Sequence, residues 1–320
     1  MTDRIPSGTR DVLPDEMREL RALTERVRAV FERAGYGEVY TPALEYENQL
    51  QRGELATTKP AYRMFDEQGN VLVLRSDMTL PIARLASTRY PNHDEPLRFC
   101  YFAHAYRGVR PQRGQAREFL QAGVELIGVR APEGTAEALT VLKLALDAAG
   151  LNTYSIGFGD ASLYPALLEA VGVDERLHER ILLELVRGDF VALEHEIGQL
   201  GLTDEQSELL LSVPQIRGGP EVLEGLSGLL SEALIGMRDV HALLGPEVAE
   251  RVIFDLGLVR SIGYYTGAVF QVYDPAHGVP IGSGGRYDEL LGRLGTPRPA
   301  VGFALNVEAV HIALTGEERQ

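Results

Sequence analysis

The sequence predicts an α+β protein in which an antiparallel sheet is flanked by helices and interrupted by a helical insertion. Two long apolar runs, LRFCYFAHAYRG and AREFLQAGVELIGV, are joined by one polar loop and indicate neighbouring strands. Short amphipathic helical patterns take over from about residue 160 to residue 250. Strand character then returns in RVIFDLG and YYTGAVFQVY. We therefore predict a core formed by residues 1–159 and 251–320, with an acidic helical insertion at 160–250.

The first half of the chain begins with a predicted helix. Residues 16–34 carry apolar side chains at helical spacing, and Gly35 follows where a glycine commonly ends a helix. The segment GEVYTPALEY is predicted to be extended, with Pro42 at the end or edge of a strand. YRMFDEQGNVLVLR is predicted to be a hairpin, because turn residues separate two apolar runs. Beyond the two long strands, we predict a helix over 133–149 and a strand in TYSIGFGD.

The end of the chain is predicted to return to the core. A glycine-rich turn, IGSGG, is expected to lead into a helix over RYDELLGRL. A final strand, AVGFAL, is followed by a helix that begins near Asn306, since asparagine is a favourable N-cap residue.

The charge is strongly acidic and unevenly distributed. The chain has a formal net charge of −15, and residues 160–250 hold 18 Asp or Glu against 5 Lys or Arg, a net charge of −13. A nucleic-acid backbone is bound by neutralising its phosphates, so this surface argues against a tRNA partner. A well-solvated helical surface explains the same charge, so the charge identifies no other partner.

Several classes of protein and of site are excluded by missing patterns. No apolar stretch is long enough to cross a bilayer, the N-terminus is too polar for a secretory signal, and Cys100 is the single cysteine, so we expect a cytoplasmic protein. The histidines never occur at i,i+4, and CxxC and HExxH are absent, which argues against a zinc site. The phosphate-loop, dinucleotide and GxSxG patterns are also missing. We therefore predict no metal and no cofactor.

Four arginines, Arg107, Arg110, Arg113 and Arg117, are concentrated around the loop between the two long strands. The planar fork of a guanidinium suits phosphate or carboxylate oxygens, so this cluster suits an anion site. A solvated basic loop is the alternative that composition alone leaves open.

This arginine-rich segment resembles motif 2 of the class II aminoacyl-tRNA synthetases, in the form specific for histidine. Other segments resemble the same family in the same order, namely PSGTRDVLP, LRSDMTLPIAR, LVRSIGYYTGAVFQVY and GSGGRYDELL. The helix and strand ending at Pro42 resemble motif 1, which forms the dimer interface in that class. The resemblance covers nearly the whole chain and implies the class II synthetase fold with a pocket for free histidine.

The resemblance also implies roles for individual residues. Asp77 and Gln121 match positions that hold the α-amino group of histidine, and Glu125 and Tyr265 match positions around the imidazole. Arg260 matches an arginine that approaches the substrate carboxylate and the ATP phosphate. The implied histidine-binding set is Asp77, Thr79, Gln121, Glu125, Arg260, Tyr264 and Tyr265, and the implied vestigial phosphate-binding set is Arg107 and Arg117. The glycines expected to let the backbone approach the ligand are Gly282, Gly284 and Gly285.

Departures from the synthetase pattern predict that aminoacylation is lost and that no catalytic residue remains. Ala309 stands where motif 3 carries an ATP-binding arginine, and losing such a guanidinium costs roughly 3–4 kcal/mol of transition-state stabilisation. The chain ends at Gln320, where a synthetase is expected to continue into an anticodon-binding domain. The other departures are Ser76, Gln115, Leu120, Gly263 and Asn306.

A synthetase core with these departures resembles the family of regulatory subunits of the short-form ATP phosphoribosyltransferase. That family implies a non-catalytic subunit, needed for activity and for histidine feedback inhibition of the first step of histidine biosynthesis. The implied partners are the catalytic subunit, a second copy of this chain and free histidine. Two alternatives stay open: a histidine-activating synthetase or ligase that still forms an adenylate, and a free-standing histidine sensor.

Overall fold

The helices and strands follow one another as the sequence predicts, with most boundaries within a few residues. The computed structural model describes residues 5–49, 61–108, 116–224, 231–258 and 263–317. The elements before the insertion are α1 (Pro14–Arg33), β1 (Gly37–Glu38), β2 (Leu44–Tyr46), β3 (Arg63–Phe65), β4 (Val71–Leu74), α2 (Thr79–Arg89), β5 (Leu97–Tyr106), β6 (Glu118–Ile127), α3 (Glu133–Ala149) and β7 (Ser155–Asp160).

The remaining elements comprise a series of short helices and then the strands that complete the sheet. They are α4 (Leu163–Ala170), α5 (Glu175–Arg187), α6 (Phe190–Gly198), α7 (Asp204–Ser212), β8 (Arg217–Gly218), α8 (Ser231–Leu243), α9 (Pro246–Ala249), β9 (Val252–Asp255), β10 (Ala268–Asp274), β11 (His277–Arg286), α10 (Leu290–Arg293), β12 (Ala300–Asn306) and α11 (Val307–Glu317).

The main sheet has nine strands among the described residues, in the order β1-β5-β6-β12-β11-β10-β7-β9-β8. Every pairing is antiparallel except β1 with β5 and β7 with β9. A second, three-stranded sheet has the order β2-β4-β3. Helices pack on the main sheet, so the predicted α+β class with an antiparallel sheet is confirmed.

One face of the main sheet is covered by α1, α3 and α11. Helix α1 turns its buried residues Leu20, Val27 and Phe31 toward this face, at the spacing the sequence shows. After α1 the backbone changes direction at Gly35, whose φ of 84° lies in the left-handed region that glycine adopts without strain. The hydrophobic cluster on this face continues into the helices of residues 163–249, with Leu167 and Met237 among its members. Burial against a shared core therefore holds these helices to the sheet.

The opposite face carries a smaller cluster built around α2. Met78, Ile82 and Ala86 pack there with aromatic side chains of β5 and of the segment before β10. Side chains alternate between the two faces along a strand, so every second residue of β6 points to this side. Alternation also directs the polar residues Gln121 and Glu125 of β6 to this face, where they are buried beside the smaller cluster.

The short helices after β7 use the N-caps that their sequence offers. Asp174, Asp189 and Thr203 each accept a hydrogen bond from a backbone amide of the first turn of α5, α6 and α7. The domain boundaries at residues 160 and 250 stay a prediction. Among the described residues, no helix has both the length and the apolar character needed to span a membrane.

The prediction for the glycine-rich segment IGSGG was wrong. It lies inside β11, hydrogen-bonded to β10 on one side and β12 on the other, and is not a turn. Glycine suits this strand because atoms of neighbouring strands occupy the space of a side chain: a Cβ at Gly284 would lie 2.3 Å from the carbonyl oxygen of Gly302. The helix predicted over RYDELLGRL is correspondingly shorter and covers only Leu290–Arg293.

Candidate ligand pocket

Glu125 is the central polar residue of the candidate site. It lies on β6 between Phe99 of β5 and Gly302 of β12, and its side chain is 1% exposed. The Thr79 hydroxyl donates to Oε1 over 2.8 Å, and the Tyr287 hydroxyl donates to Oε2. A Cβ on Gly302 would meet Oε2 of Glu125 at 1.9 Å, so only glycine there leaves the carboxyl its place.

Burial dominates the electrostatics of this carboxyl group. The pKa of Glu125 is raised to about 8, chiefly by removal from water; the hydrogen bonds from Tyr287 and Thr79 oppose this rise, and the nearby Asp77 adds a smaller contribution to it. A carboxyl group with this pKa holds a proton near neutral pH when no ligand is present.

Asp77 and Thr79 reach the pocket from the start of α2. Asp77 is 9% exposed, and its Oδ1 lies 3.4 Å from the backbone nitrogen of Leu80. Two arginines fix this segment: Arg75 donates to backbone carbonyls, and the half-buried Arg84 donates to Glu45 through two nitrogens at 2.7 and 2.9 Å. The sequence-predicted pair Asp77 and Thr79 is thus brought to Glu125.

Tyr264 and Tyr265 lie on the same side of the sheet. Their rings meet edge to face with centroids 5.1 Å apart, and Tyr264 packs similarly on Tyr287 at 5.7 Å. A Cβ on Gly285 would lie 2.7 Å from the Tyr265 ring, which shows that this ring covers Gly285. Burial raises the pKa of Tyr264 well above its usual value, with Asp77 next in importance.

Gln121 lies on the same face of β6, four residues before Glu125. It is 6% exposed, and its Oε1 has no hydrogen-bond partner among the described residues. A buried acceptor without a partner costs roughly 1–3 kcal/mol, so this oxygen favours a ligand that carries a donor.

The glycines predicted to admit the ligand divide between the two faces. Gly285 belongs to the pocket side, under Tyr265. Gly282 and Gly284 belong to the other side, where a Cβ would meet Leu305 Cδ2 and the Phe270 ring at 2.5 Å each. The expectation that all three approach a ligand was therefore wrong for these two, because alternation along a strand separates them from Gly285.

The two described arginines of the motif 2 segment lie at the open end of the β5–β6 hairpin. Arg107 stacks over the Phe119 ring at 4.7 Å, and Arg117 donates to the Tyr62 hydroxyl. Arg117 precedes Glu125 by eight residues, which is about 27 Å along an extended strand. The structure thus separates these arginines from Glu125, and Arg110, Arg113 and Arg260 lie outside the described residues.

Motif 3 brings no cation to the site. Ala309 is 5% exposed and belongs to the larger apolar cluster, on the first turn of α11. Asn306 caps this helix by accepting from the Ala309 amide over 3.1 Å, as predicted. Glu308 accepts from the Leu120 amide at 3.0 and 3.1 Å, which ties the helix to β6.

Two pocket residues were missed by sequence reasoning. Tyr287 belongs to the quoted string GGRYD but was given no role there. Tyr101 occupies the space over Gly123, where a Cβ would lie 2.4 Å from the tyrosine hydroxyl oxygen. In sequence Tyr101 is one aromatic residue of an apolar strand, so nothing distinguished it from the core. No group of three or more His, Cys, Asp or Glu side chains able to hold a metal occurs in the described ranges.

The described residues form a nine-stranded, mainly antiparallel sheet with this polar cluster on one face, which is the class II synthetase architecture of the histidine-specific type. The family model of histidyl-tRNA synthetase matches residues 8–310. The chain is 38% identical to the ATP phosphoribosyltransferase regulatory subunit of Desulforamulus reducens, over 97% of this chain and 79% of that protein. The corresponding protein of Symbiobacterium thermophilum is 39% identical over the same shares.

Solved structures agree with this relationship. The structure of an ATP phosphoribosyltransferase regulatory subunit/histidyl-tRNA synthetase from Bacillus halodurans superposes with a TM-score of 0.90 at 33% identity, covering 98% of this chain and 84% of that one. A histidine–tRNA ligase subunit from Alicyclobacillus acidocaldarius superposes with a TM-score of 0.83 at 32% identity, covering 100% and 99%. The chain belongs to the histidyl-tRNA synthetase family and, within it, to the ATP phosphoribosyltransferase regulatory subunits.

Proposed function

We propose that this chain is a non-catalytic subunit that activates the catalytic subunit of a short-form ATP phosphoribosyltransferase and makes it sensitive to histidine. The names of its relatives support the regulatory role. The observation that carries the histidine part is the pocket around Glu125, in which polar side chains from three separate segments converge below α2.

The chemistry of the pocket suits free histidine. Asp77 and the unpartnered oxygen of Gln121 can accept hydrogen bonds from an α-ammonium group. Glu125 and the tyrosine pair Tyr264 and Tyr265 offer an acceptor and aromatic surfaces to an imidazole. Arg260 belongs to the proposed set through the family resemblance, as the partner of the ligand carboxylate.

Loss of aminoacylation is supported by the phosphate side of the site. The Ala309 methyl group is buried at the position where motif 3 of the synthetases carries an arginine, whose guanidinium stabilises charge on the ATP phosphates. We propose that Arg107 and Arg117 are vestiges of that function, since Arg117 is engaged with Tyr62 and Arg107 with Phe119.

Self-association through the motif 1 region also belongs to this proposal. The exposed apolar side chains near α1 and the small sheet are large: Tyr40 is 81% exposed and Phe65 is 73% exposed. Large exposed apolar side chains of this kind are common at interaction sites, and a second copy of the chain is the proposed occupant. Attachment of catalytic subunits to this homodimeric core would complete the assembly.

The test is the rate of phosphoribosyl transfer by the catalytic subunit of the same organism, with and without this chain and with added histidine. We expect the chain to raise the rate and histidine to lower it only when the chain is present. Allosteric coupling of roughly 1–3 kcal/mol corresponds to about a 5- to 150-fold effect. A rate that ignores the chain would remove the proposal.

The pocket is tested in the same assay with Asp77→Ala. We expect this variant to assemble and activate but to lose inhibition by histidine, because the ammonium loses its carboxylate partner. Glu194→Ala, on the exposed side of α6, is the matched control and should keep inhibition. Inhibition that persists in Asp77→Ala would place the histidine sensor elsewhere.

A second candidate is a histidine-activating ligase, favoured by the name of the Alicyclobacillus relative. It predicts histidine-dependent exchange of pyrophosphate into ATP by the chain alone. We expect no exchange, because Ala309 has no positive charge with which to stabilise the phosphates of ATP.

A further inference from the structure

Arg286 is a buried arginine that follows directly after the pocket glycine Gly285. It is 3% exposed and pairs on β11 with Val301 of β12, a member of the larger apolar cluster. Its side chain therefore lies on the face of the sheet that α1 and α3 cover, behind the pocket. A buried guanidinium is costly unless it is paired and hydrogen-bonded, so its partners show what it holds together.

The Arg286 guanidinium divides its hydrogen bonds between two parts of the chain. Its Nη2 donates to the carbonyl oxygen of Val129 over 2.6 Å, in the turn between β6 and α3. Its Nη1 donates to the hydroxyl oxygen of Thr135, in the first turn of α3, over 3.4 Å. Its Nε donates to Oδ2 of Asp288 over 2.9 Å. The rigid fork of this arginine thus joins the end of β11 to the turn that follows β6.

Asp288 extends this network to two further segments. Its other oxygen, Oδ1, accepts from the Ala300 amide over 3.0 Å, at the start of β12. Its backbone amide donates to the Thr266 hydroxyl over 3.0 Å, and the Thr266 amide donates to the carbonyl oxygen of Arg286 over 2.9 Å. Arg286 and Asp288 together therefore hold the end of β11, the start of β12, Thr266 and the turn after β6.

Each of these segments contributes to the pocket. Tyr287 lies between the two charged residues, and its hydroxyl donates to Glu125 of β6. Tyr265 comes directly before Thr266, and Gly302 lies two residues after the first residue of β12. The side chains of a binding site must be held to within about 0.5 Å by the contacts behind them. The charged pair is placed to provide such contacts.

We infer that Arg286 and Asp288 are positioning residues of the pocket, which fix the Tyr287 hydroxyl against Glu125 without touching the ligand. This inference rests on the proposed function, because it assigns residues that shape the same histidine site. Hydrogen bonds of a charged donor or acceptor are about twice as strong as neutral ones. Without them the end of β11 and the turn after β6 can shift independently, so Tyr287 loses its place beside Glu125.

The experiment is titration calorimetry of the full chain with histidine. Arg286→Met keeps the apolar part of the side chain and removes the guanidinium, and we expect it to weaken histidine binding about tenfold or more. Arg26→Met is the matched control, because Arg26 donates to the carbonyl oxygens of Ala148 and Ala149 at 2.8 and 2.9 Å, at the opposite end of α3. The control should bind histidine as wild type does. Thermal unfolding of each variant establishes that it is folded at the temperature of the titration.

A double-mutant cycle separates positioning from a general loss of stability. Tyr287→Phe removes only the hydroxyl group through which Arg286 is inferred to act. In that background Arg286→Met should weaken binding by less than about threefold, because the positioned contact is already absent. An unchanged affinity in Arg286→Met overturns the inference and leaves the proposed histidine site standing. A loss in the double variant equal to the product of the two single losses does the same.

Asp288→Asn keeps the inference testable if Arg286→Met does not fold. The side chain of Asp288 is 41% exposed, so the structure can tolerate this change, which removes the charge opposite Arg286. We expect histidine affinity to fall about threefold or more, with the same dependence on the Tyr287 hydroxyl. Wild-type affinity in Asp288→Asn would overturn the inference alone. The absence of histidine binding in wild type would overturn both the inference and the proposed histidine site.

Discussion

Glu125 is a buried side chain whose position in the candidate site comes with an unfavourable burial of its carboxyl group. Its carboxyl group lies on a central strand under α2, where Gly302 gives it space and two hydroxyl groups satisfy its oxygens. Burial nevertheless disfavours the ionised form, so the empty protein carries a destabilising group at neutral and alkaline pH.

Replacing Glu125 by glutamine should stabilise the empty protein in alkaline solution. The folded-state pKa, about 8, is raised above the usual value, so the favourable contribution of this group is complete below about pH 4 and is lost as the pH rises toward 8. Above pH 8 the difference corresponds to roughly 5 kcal/mol, so Glu125→Gln should have the higher melting temperature at pH 8.5. The advantage should disappear near pH 4.5. Thermal unfolding of both proteins at both pH values measures the difference in melting temperature. A melting temperature of Glu125→Gln below that of wild type at pH 8.5 would contradict the assigned burial.

At the scale of elements, the position of α2 depends on contacts made far from the ligand. Arg75 is 4% exposed and donates to the carbonyl oxygens of Thr41, Pro42 and His104 at 2.7, 3.2 and 2.8 Å. Its own backbone amide donates to the carbonyl of Ala43. The strand that leads into α2 is thus joined both to the segment before β2 and to β5.

Replacing Arg75 by methionine should destabilise the protein and loosen the pocket together. Three backbone carbonyl groups lose a charged donor, and we expect a loss of about 3 kcal/mol in the free energy of unfolding. Histidine affinity should fall as well, because Asp77 and Thr79 follow directly. Arg63→Met is the control: Arg63 pairs with Glu47 with its side chain 55% exposed, and should cost less than about 1 kcal/mol. Denaturant unfolding and calorimetry measure both effects, and equal losses in the two variants would refute the role of Arg75.

At the scale of the whole molecule, the main sheet and the acidic helices share one apolar core. Buried residues of β7 and α3 belong to the same cluster as Leu163, Ile181 and Leu193 of the helical segment. A unit that shares its core is expected to lose its structure in one step.

Thermal unfolding of the isolated chain should therefore show one calorimetric transition, with equal calorimetric and van't Hoff enthalpies per folded unit. Comparison of far-ultraviolet circular dichroism with tyrosine absorbance checks it independently. Two separated transitions would mean that residues 160–250, the predicted helical insertion, unfold as an independent domain.

Local patterns in the sequence were enough for the element order and for the family. The helical spacing in α1, the long strands β5 and β6 and the cap at Asn306 depend on neighbours a few residues away, so they could be predicted. The motif strings also predicted Asp77, Thr79 and Glu125 as site residues, and these side chains lie close together in the structure.

Tertiary structure alone decided which side chains share the pocket. IGSGG is a strand because β10 pairs with it on one side and β12 on the other. The local sequence, which is rich in glycine, indicates a turn instead. The alternation of that strand directs Gly285 to the pocket and Gly284 to the core. Tyr101 and Tyr287 join Glu125 from positions 24 residues before it and 162 residues after it. Such contacts depend on the packing of distant segments, whereas a sequence pattern reports only the preferences of each segment by itself.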